Sequence, residues 1–272
     1  MKSKSVSYPY ITWMLLFTVI PMLLIMYYSF VDKDGAFSLE GYKNVFDPLY
    51  LTVITNSFKL AVICTVICLI LGYPVAYILA SKEYINKGFL LFLFIVPMWM
   101  NFLLRTYAWL SILENNGIIN TILEFMGFEK RKLLYTDNAV LLGMVYNYLP
   151  FMILPIYTVL TKMDKSIIEA AQDLGANSRQ VFRRVVFPLS LPGVTSGITM
   201  VFMPAVTTFI VSSILGGDQF MLIGNLIEHQ FMRVGNWNFG SALAVIMMLL
   251  ILCSNALFTV FDKTEEGGGP VL

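Results

Sequence analysis

Long apolar runs separated by short polar segments make up most of the chain. A helix needs about twenty apolar residues, at a rise of about 1.5 Å each, to cross the roughly 30 Å hydrocarbon core of a bilayer. Six runs reach that length: residues 11–30, 58–80, 89–112, 139–160, 193–215 and 239–261. The pattern predicts an all-α integral membrane protein with six transmembrane helices in one polytopic domain, residues 1–264.

Composition agrees with this membrane class. Of the 272 residues, 58% are hydrophobic and 13% are charged, whereas soluble domains carry about 25% charged residues. The net charge of +1 gives no reason to expect a nucleic-acid partner. No small-x-small cleavage site follows the first run, so we expect it to stay as a helix. The Gly-rich end, residues 265–272, is expected to be a flexible tail or an engineered remnant.

Six spans place both termini on the same side of the membrane. With the termini in the cytoplasm, the inner segments hold ten Lys and Arg residues and the outer segments hold seven. This difference has the sign of the positive-inside rule. The sequence therefore predicts cytoplasmic termini, with residues 31–57, 113–138 and 216–238 outside.

Three cysteines and one histidine give no metal-site pattern. Cys64 and Cys68 lie one helical turn apart in an apolar run, Cys253 lies in another, and His229 is far from all three. We expect the cysteines to be small buried apolar residues. The sequence predicts no metal site and no disulfide framework.

The polar segment before the fifth run predicts a helix–turn–helix. Ser166, with Glu169 three residues on, has the pattern of a capping box. Gly175 stands where a helix ends and the chain needs a positive φ. Ser178 is a candidate cap for a second helix, and Pro188 is expected to end it. Taken alone, the segment also fits an amphipathic helix lying on an anionic membrane surface.

The same segment carries a resemblance to a known family. Glu169-Ala170-Ala171, then Gly175, then Val185-x-Phe187-Pro188 resembles the EAA motif of binding-protein-dependent ABC importer permeases, with Val185 and Phe187 in place of Ile and Leu. Further stretches are similar to the spermidine/putrescine permeases of the PotB type, over nearly the whole chain: LGYPVAY (71–77), IVPMWMNFLLRTYAW (95–109), VYNYLPFMILPIY (145–157), LIGN (222–225) and NWNFGSA (236–242).

This resemblance implies an architecture and a set of partners. It implies a MetI-like permease domain in a bacterial inner membrane, a second permease subunit (PotC-like), an ATPase dimer (PotA-like) and an extracytoplasmic binding protein (PotD-like). The chain lacks the phosphate-binding pattern G-x-x-x-x-G-K-[ST]. We therefore expect a transport subunit that is not itself an enzyme, with ATP and Mg²⁺ bound by the separate ATPase.

The resemblance also assigns residues to the contact with the ATPase. The EAA segment of the family docks on the ATPase, and two small residues allow another backbone to approach closely. Glu169 has two possible roles, stiffening its helix as a capping residue or pairing with a cation on the ATPase. The residues implied in ATPase coupling are Glu169, Ala170, Ala171, Gly175, Arg179, Arg183 and Pro188.

The substrate path is less clearly marked in the sequence. A polyamine calls for carboxylates and aromatic faces, yet none of the six runs contains Asp or Glu. The polar and aromatic candidates are Trp99, Asn101, Arg105, Tyr107, Trp109, Tyr146, Asn147 and Tyr148. For each, membrane packing or the interfacial aromatic belt is the alternative. Arg105 conflicts with a cationic substrate and is expected to snorkel or to pair with an acid of the partner subunit.

Other functions stay open to different degrees. Arg105 gives some support to a permease of the same family for another small solute. Near the outer mouth, Asp218 and Glu228 could attract cations or receive the binding protein. An intramembrane enzyme is disfavoured because no His, Asp or Glu lies in the six runs. A self-contained channel or secondary transporter would need no ATPase.

Overall fold

The computed structural model of the chain describes residues 8–81, 87–217 and 220–266. The helices are α1 Tyr8–Ser29, α2 Glu40–Val45, α3 Pro48–Ser81, α4 Lys87–Trp99, α5 Phe102–Leu113, α6 Ile118–Phe125, α7 Asp137–Lys162, α8 Lys165–Asp173, α9 Ser178–Thr207, α10 Ser212–Gly216, α11 Ile223–His229 and α12 Trp237–Glu266. Residues 265 and 266, predicted to start the flexible tail, instead end α12. Residues 267–272 and Asp218 lie outside the described residues.

Five of these helices are long and apolar enough to cross a membrane: α1, α3, α7, α9 and α12. A bent pair, α4 followed by the α5–α6 region, makes a sixth span if the pair is counted as one. Four predicted runs coincide with α1, α3, α7 and α12, which extend further at one or both ends. The other two runs differ from their predictions.

The third predicted run, residues 89–112, is not one continuous helix. It is broken at Met100 and Asn101, and the helices on either side are bent by 93°. Asn101 Oδ1 accepts a hydrogen bond from the Leu103 N–H at 2.8 Å, so this amide acts as the N-cap of a new helix. The Asn101 side chain, a candidate for the substrate path, therefore bonds to the backbone of its own segment.

The fifth predicted run, residues 193–215, also changes its limits. The helix begins at Ser178 and ends at Thr207, where Thr208 turns to an extended conformation before α10. Pro188 does not end the preceding helix as predicted. It follows one turn of π-helix, in which the Phe187 N–H donates to the Phe182 carbonyl, and it occupies the start of the next α-helical stretch.

The centre of the fold is the packing of α3, α7 and α9 against one another. Glycines let these backbones approach closely, because a Cβ at Gly197 of α9 would lie 2.7 Å from the Met152 sulfur of α7. Cys64 and Cys68 are buried in this core, as expected, whereas Cys253 is exposed on α12. Helix α1 stands outside the core and packs on α12.

A buried polar cluster holds the broken end of α9 in place. The Asn225 amide donates to the Phe209 carbonyl at 3.0 Å and to Ser213 Oγ at 2.7 Å. Its oxygen accepts from Ser212 Oγ at 2.6 Å and from the Leu222 N–H at 3.2 Å. All four hydrogen-bonding positions of this amide are therefore used, and α10 and α11 are tied to the break.

Candidate functional site

Helix α8, the first arm of the helix–turn–helix segment (residues 164–188), is capped by a residue other than the predicted one. Asp164 Oδ1 accepts a hydrogen bond from the Ser166 N–H at 2.9 Å, and Ser166 itself is helical. The Ser166–Glu169 capping box is therefore wrong. Hydrogen bonds from the backbone and side chain of Ser166 lower the pKa of the Asp164 carboxyl below its ordinary value.

Gly175 forms the predicted turn. Its φ is +84°, in the left-handed region that favours glycine. The Gly175 N–H donates to the Gln172 carbonyl at 2.8 Å, and the Ala176 N–H donates to the Ala171 carbonyl at 3.1 Å. These two bonds make a Schellman motif. No atom lies within 4 Å of the position of a Cβ on Gly175, so the backbone conformation rather than space selects glycine.

The second arm is capped by Asn177 and not by Ser178 as predicted. Asn177 Oδ1 accepts from the Gln180 N–H, and Gln180 Oε1 accepts from the Asn177 N–H, each at 2.9 Å. The arm continues directly into α9. Among the predicted coupling residues here, Arg179, Arg183 and Pro188 are exposed.

The segment presents a mixed surface. Glu169 and Ala170 are exposed and Ala171 is half-buried. Glu169 lines a cavity of about 560 Å³ with Tyr77 at the end of α3. At the tip, the Leu174 side chain is 89% exposed. A carboxylate, an apolar tip and small residues are thus available together on one segment.

An aromatic cluster that the sequence analysis missed joins the second arm to α3. The Phe182 ring packs edge-on against Tyr77 and Tyr73, with centroids 5.4 and 5.9 Å apart. The Tyr73 hydroxyl and Ser190 Oγ are 2.8 Å apart in a buried hydrogen bond. The stretch LGYPVAY contains both tyrosines, and a spacing of four residues on a helix was the signal that placed them on one face.

The predicted path residues lie in residues 99–109 and 146–148, which together we call the aromatic wall. The structure brings two of them together, since the rings of Trp109 and Tyr146 meet edge-on at 5.4 Å. Trp99 packs instead on Phe92 of its own helix, at 5.9 Å. The Tyr148 hydroxyl donates to the Pro204 carbonyl of α9 at 3.2 Å, so this residue joins two core helices.

Two buried polar side chains of the wall have unpaired atoms. Arg105 is 8% exposed, and its Nε and Nη1 have no hydrogen-bond partner. Its guanidinium carbon lies 5.8 Å from the Phe102 ring centroid. Asn147 donates to the Gly143 carbonyl at 2.9 Å, while its Oδ1 is unpaired. Arg105 is thus buried, and no acid of the described residues pairs with it.

Tyr107 is the wall residue that opens to a cavity. It is 53% exposed and lines an open space of about 560 Å³ beside the start of α7 and the end of α10. Of the two acids considered near the outer mouth, Glu228 lies on α11 and is half-buried. In the described residues, no group of three His, Cys, Asp or Glu side chains could hold a metal ion.

Comparison with known proteins shows which family this chain belongs to. The family described as binding-protein-dependent transport system inner membrane component matches residues 1–266. The chain is 42% identical to the spermidine/putrescine transport system permease protein PotB of Haemophilus influenzae, over 88% of each chain. It is 40% identical to PotB of Escherichia coli, over 93% of this chain and 97% of that protein.

Solved structures share the fold at low sequence identity. A bacterial ABC transporter involved in the import of the acidic polysaccharide alginate superposes with a TM-score of 0.81 at 15% identity, covering 94% of each chain. The methionine transporter MetNI, in an inward-facing conformation, gives a TM-score of 0.55 at 15% identity, covering 81% of this chain and 96% of that one. This chain therefore belongs to the family of binding-protein-dependent transport system inner membrane components, the permease subunits of ABC importers.

Proposed function

We propose that this chain is a permease subunit of an ATP-driven importer of the polyamines spermidine and putrescine, and that it forms half of the translocation path. The observation that carries the proposal is the 40–42% identity to PotB permeases over 88–93% of the chain. A match over 88–93% of the chain takes in spans as well as the helix–turn–helix segment.

The surface of the helix–turn–helix segment supports docking on a separate ATPase. Because Asp164 caps α8, the exposed Glu169 carboxylate is not used as the cap and is available to a cation of the ATPase. Ala170 allows close backbone approach. The exposed Leu174 side chain supplies an apolar anchor of the kind that fills a pocket in a partner. ATP and Mg²⁺ are bound by that partner.

Movement of the ATPase would reach the core through continuous structure. The Schellman turn at Gly175 fixes the angle between the two arms, and the second arm is one helix with α9. Phe182 ties the base of that arm to α3. A displacement of the segment therefore tilts core helices as a rigid body, which is the motion that alternating access requires.

The proposed orientation puts both termini and the helix–turn–helix segment in the cytoplasm. Two exposed positions test it, Leu174 at the tip of the segment and Phe125 at the end of α6. In a background without the native cysteines, Phe125→Cys should react with a membrane-impermeant thiol reagent in cells whose outer membrane has been opened, and Leu174→Cys should react only after lysis. The reverse labelling contradicts the orientation.

The proposed partners are a second permease subunit, an ATPase dimer and an extracytoplasmic binding protein, corresponding to PotC, PotA and PotD. In this arrangement the binding protein selects the solute, and the permease wall needs few strong contacts. That division is consistent with six apolar runs that contain no Asp or Glu. The buried cation Arg105 favours a second candidate, an importer of the same family for another small solute.

Reconstitution of the complete complex separates these two candidates. We expect ATP hydrolysis in proteoliposomes to rise when the binding protein carries spermidine or putrescine, with uptake of the same polyamine. The control is the same binding protein without solute. Stimulation and uptake with a different solute, and none with polyamines, contradicts the polyamine assignment while leaving the importer class intact.

A further inference from the structure

The cavity beside Tyr107 is also lined by a second tyrosine, Tyr135, which lies just before α7. Both side chains are about half exposed, at 53% and 54%. They line the same open space of about 560 Å³, together with Ser213, Gly216 and Gly217 from the end of α10 and the residue that follows it. Two half-exposed tyrosines thus border an open cavity in the region proposed to face the outside.

Tyr135 is held in this place by an unfavourable backbone conformation. Its φ is +61°, and it is the one non-glycine residue with a positive φ in the described part of the chain. Such conformations persist where the surrounding structure imposes them and are concentrated at binding and switch sites. Here the Tyr135 N–H donates to the Leu215 carbonyl at 2.9 Å, which fixes the residue against the last turn of α10.

The Tyr135 ring lies close to Gly217. Gly217 has a φ of +68°, and a Cβ on it would lie 2.8 Å from Cδ1 of the Tyr135 ring. A side chain at Gly217 would therefore displace the ring. The backbone of both segments is thus arranged to place one aromatic ring at the edge of the cavity.

We propose that Tyr107 and Tyr135 form a binding site for an alkylammonium group, such as one end of a polyamine in transit. This inference rests on the proposed function. Ammonium groups bind the faces of aromatic rings. No carboxylate is needed for this mode of binding.

Lys132 also lines the cavity, and its charge opposes a cation. Its presence keeps the site weak. Weak binding suits a transport path, since a solute must be able to leave each site that it enters. The site is therefore a transit site and not a second selective receptor.

The test uses the complete reconstituted complex with spermidine-loaded binding protein, and measures uptake per ATP hydrolysed. Tyr135→Leu and Tyr107→Leu should each lower this ratio by about 2- to 30-fold, as expected for one lost cation–aromatic contact. Tyr135→Phe keeps the ring and should remain near the wild-type ratio. Gly217→Ala should behave like Tyr135→Leu because it displaces the ring. Tyr135→Gly, which tolerates the backbone conformation, should also lower the ratio without loss of thermal stability.

Tyr27→Leu is the matched control, since Tyr27 is a comparably exposed tyrosine, at 57%, on the outlying helix α1. It should leave the ratio unchanged. Equal uptake by wild type and Tyr135→Leu, or an equal fall with Tyr27→Leu, overturns the site while the proposed function stands. A wild-type complex that hydrolyses ATP but takes up no spermidine overturns the proposed function and this site with it.

Discussion

The helix–turn–helix segment and the aromatic wall treat their polar groups in opposite ways. In the segment, Asp164, Asn177 and the Schellman turn at Gly175 satisfy the helix ends within a few residues. In the wall, Arg105 and Asn147 are buried, and each has polar atoms without a partner. The polar groups at the helix ends of the segment are satisfied within it, whereas two buried polar side chains of the wall are not.

This difference indicates that the helix–turn–helix segment is the more rigid of the two regions. A self-capped segment keeps its shape when it is displaced, which a lever requires. Unpaired buried groups carry a desolvation cost that a partner or another conformation can relieve. The wall is therefore the region whose energetics should change with assembly or with the transport cycle.

Two buried amides give the largest expected contrast. Asn225 uses all four hydrogen-bonding positions, whereas Asn147 has an unpaired oxygen. Asn225→Leu should lower the free energy of unfolding by about 2–4 kcal/mol, and Asn147→Leu should change it by less than about 1 kcal/mol. Reversible unfolding of the purified chain in detergent measures both. Equal losses in the free energy of unfolding would show that the hydrogen bonds made by each amide do not determine its contribution to stability.

Arg105 tests the unpaired state of the wall directly. Replacing a buried, unpaired guanidinium with an apolar side chain of similar length removes its desolvation cost. Arg105→Met should therefore raise the free energy of unfolding of the isolated chain by about 1–3 kcal/mol. The exposed Arg183→Met is the control and should stay within about 0.5 kcal/mol. A loss of stability with Arg105→Met means that the guanidinium has an acceptor in the isolated chain.

Substitutions at Gly175 test whether the helix–turn–helix segment moves as a rigid unit. A β-branched residue at a φ of +84° costs about 1–2 kcal/mol or more, so Gly175→Val should distort the turn. We expect near-normal amounts of assembled complex, but clearly less uptake per ATP hydrolysed. Gly175→Asn, which tolerates the left-handed region, should retain most of the uptake. Similar behaviour of the two variants argues against a role for the turn angle.

The smallest effect concerns the cap of α8. The folded pKa of Asp164 lies below its unfolded value, so its contribution to helix stability is present above the unfolded pKa, about 3.9. It is lost as pH falls through the lower folded pKa. Asp164→Ala should increase amide hydrogen exchange in residues 165–173 at neutral pH, and Asp164→Asn, which keeps the acceptor oxygen but not the charge, should increase it less. Equal increases with both variants would contradict a role for the capping hydrogen bond itself.

Regular features of the sequence predicted much of the fold. Apolar runs long enough to span the bilayer located α1, α3, α7 and α12 because length and hydropathy are local properties. Gly175 was recognisable because the turn that ends a helix selects glycine for its own φ. The EAA pattern likewise depends on a fixed local spacing.

Other features could not be predicted, because the local sequence fits more than one structure. Asp164 and Ser166 are both good caps, and the backbone around Asp164 decides between them. Asn101 is an N-cap inside an apolar run, so the run alone gave no sign of the 93° bend. The position of Tyr135 depends on its hydrogen bond to Leu215 and on the close approach of its ring to Gly217, two residues that are distant in sequence. Such long-range pairs are set by tertiary packing.

The central claim is that this chain is a gate moved by a separate ATPase through residues 164–188. The most direct measurement is spermidine uptake into ATP-loaded proteoliposomes that contain either the complete complex with its binding protein or this chain alone. The account predicts uptake by the complete complex and none by the chain alone. Uptake by the chain without its partners would contradict it.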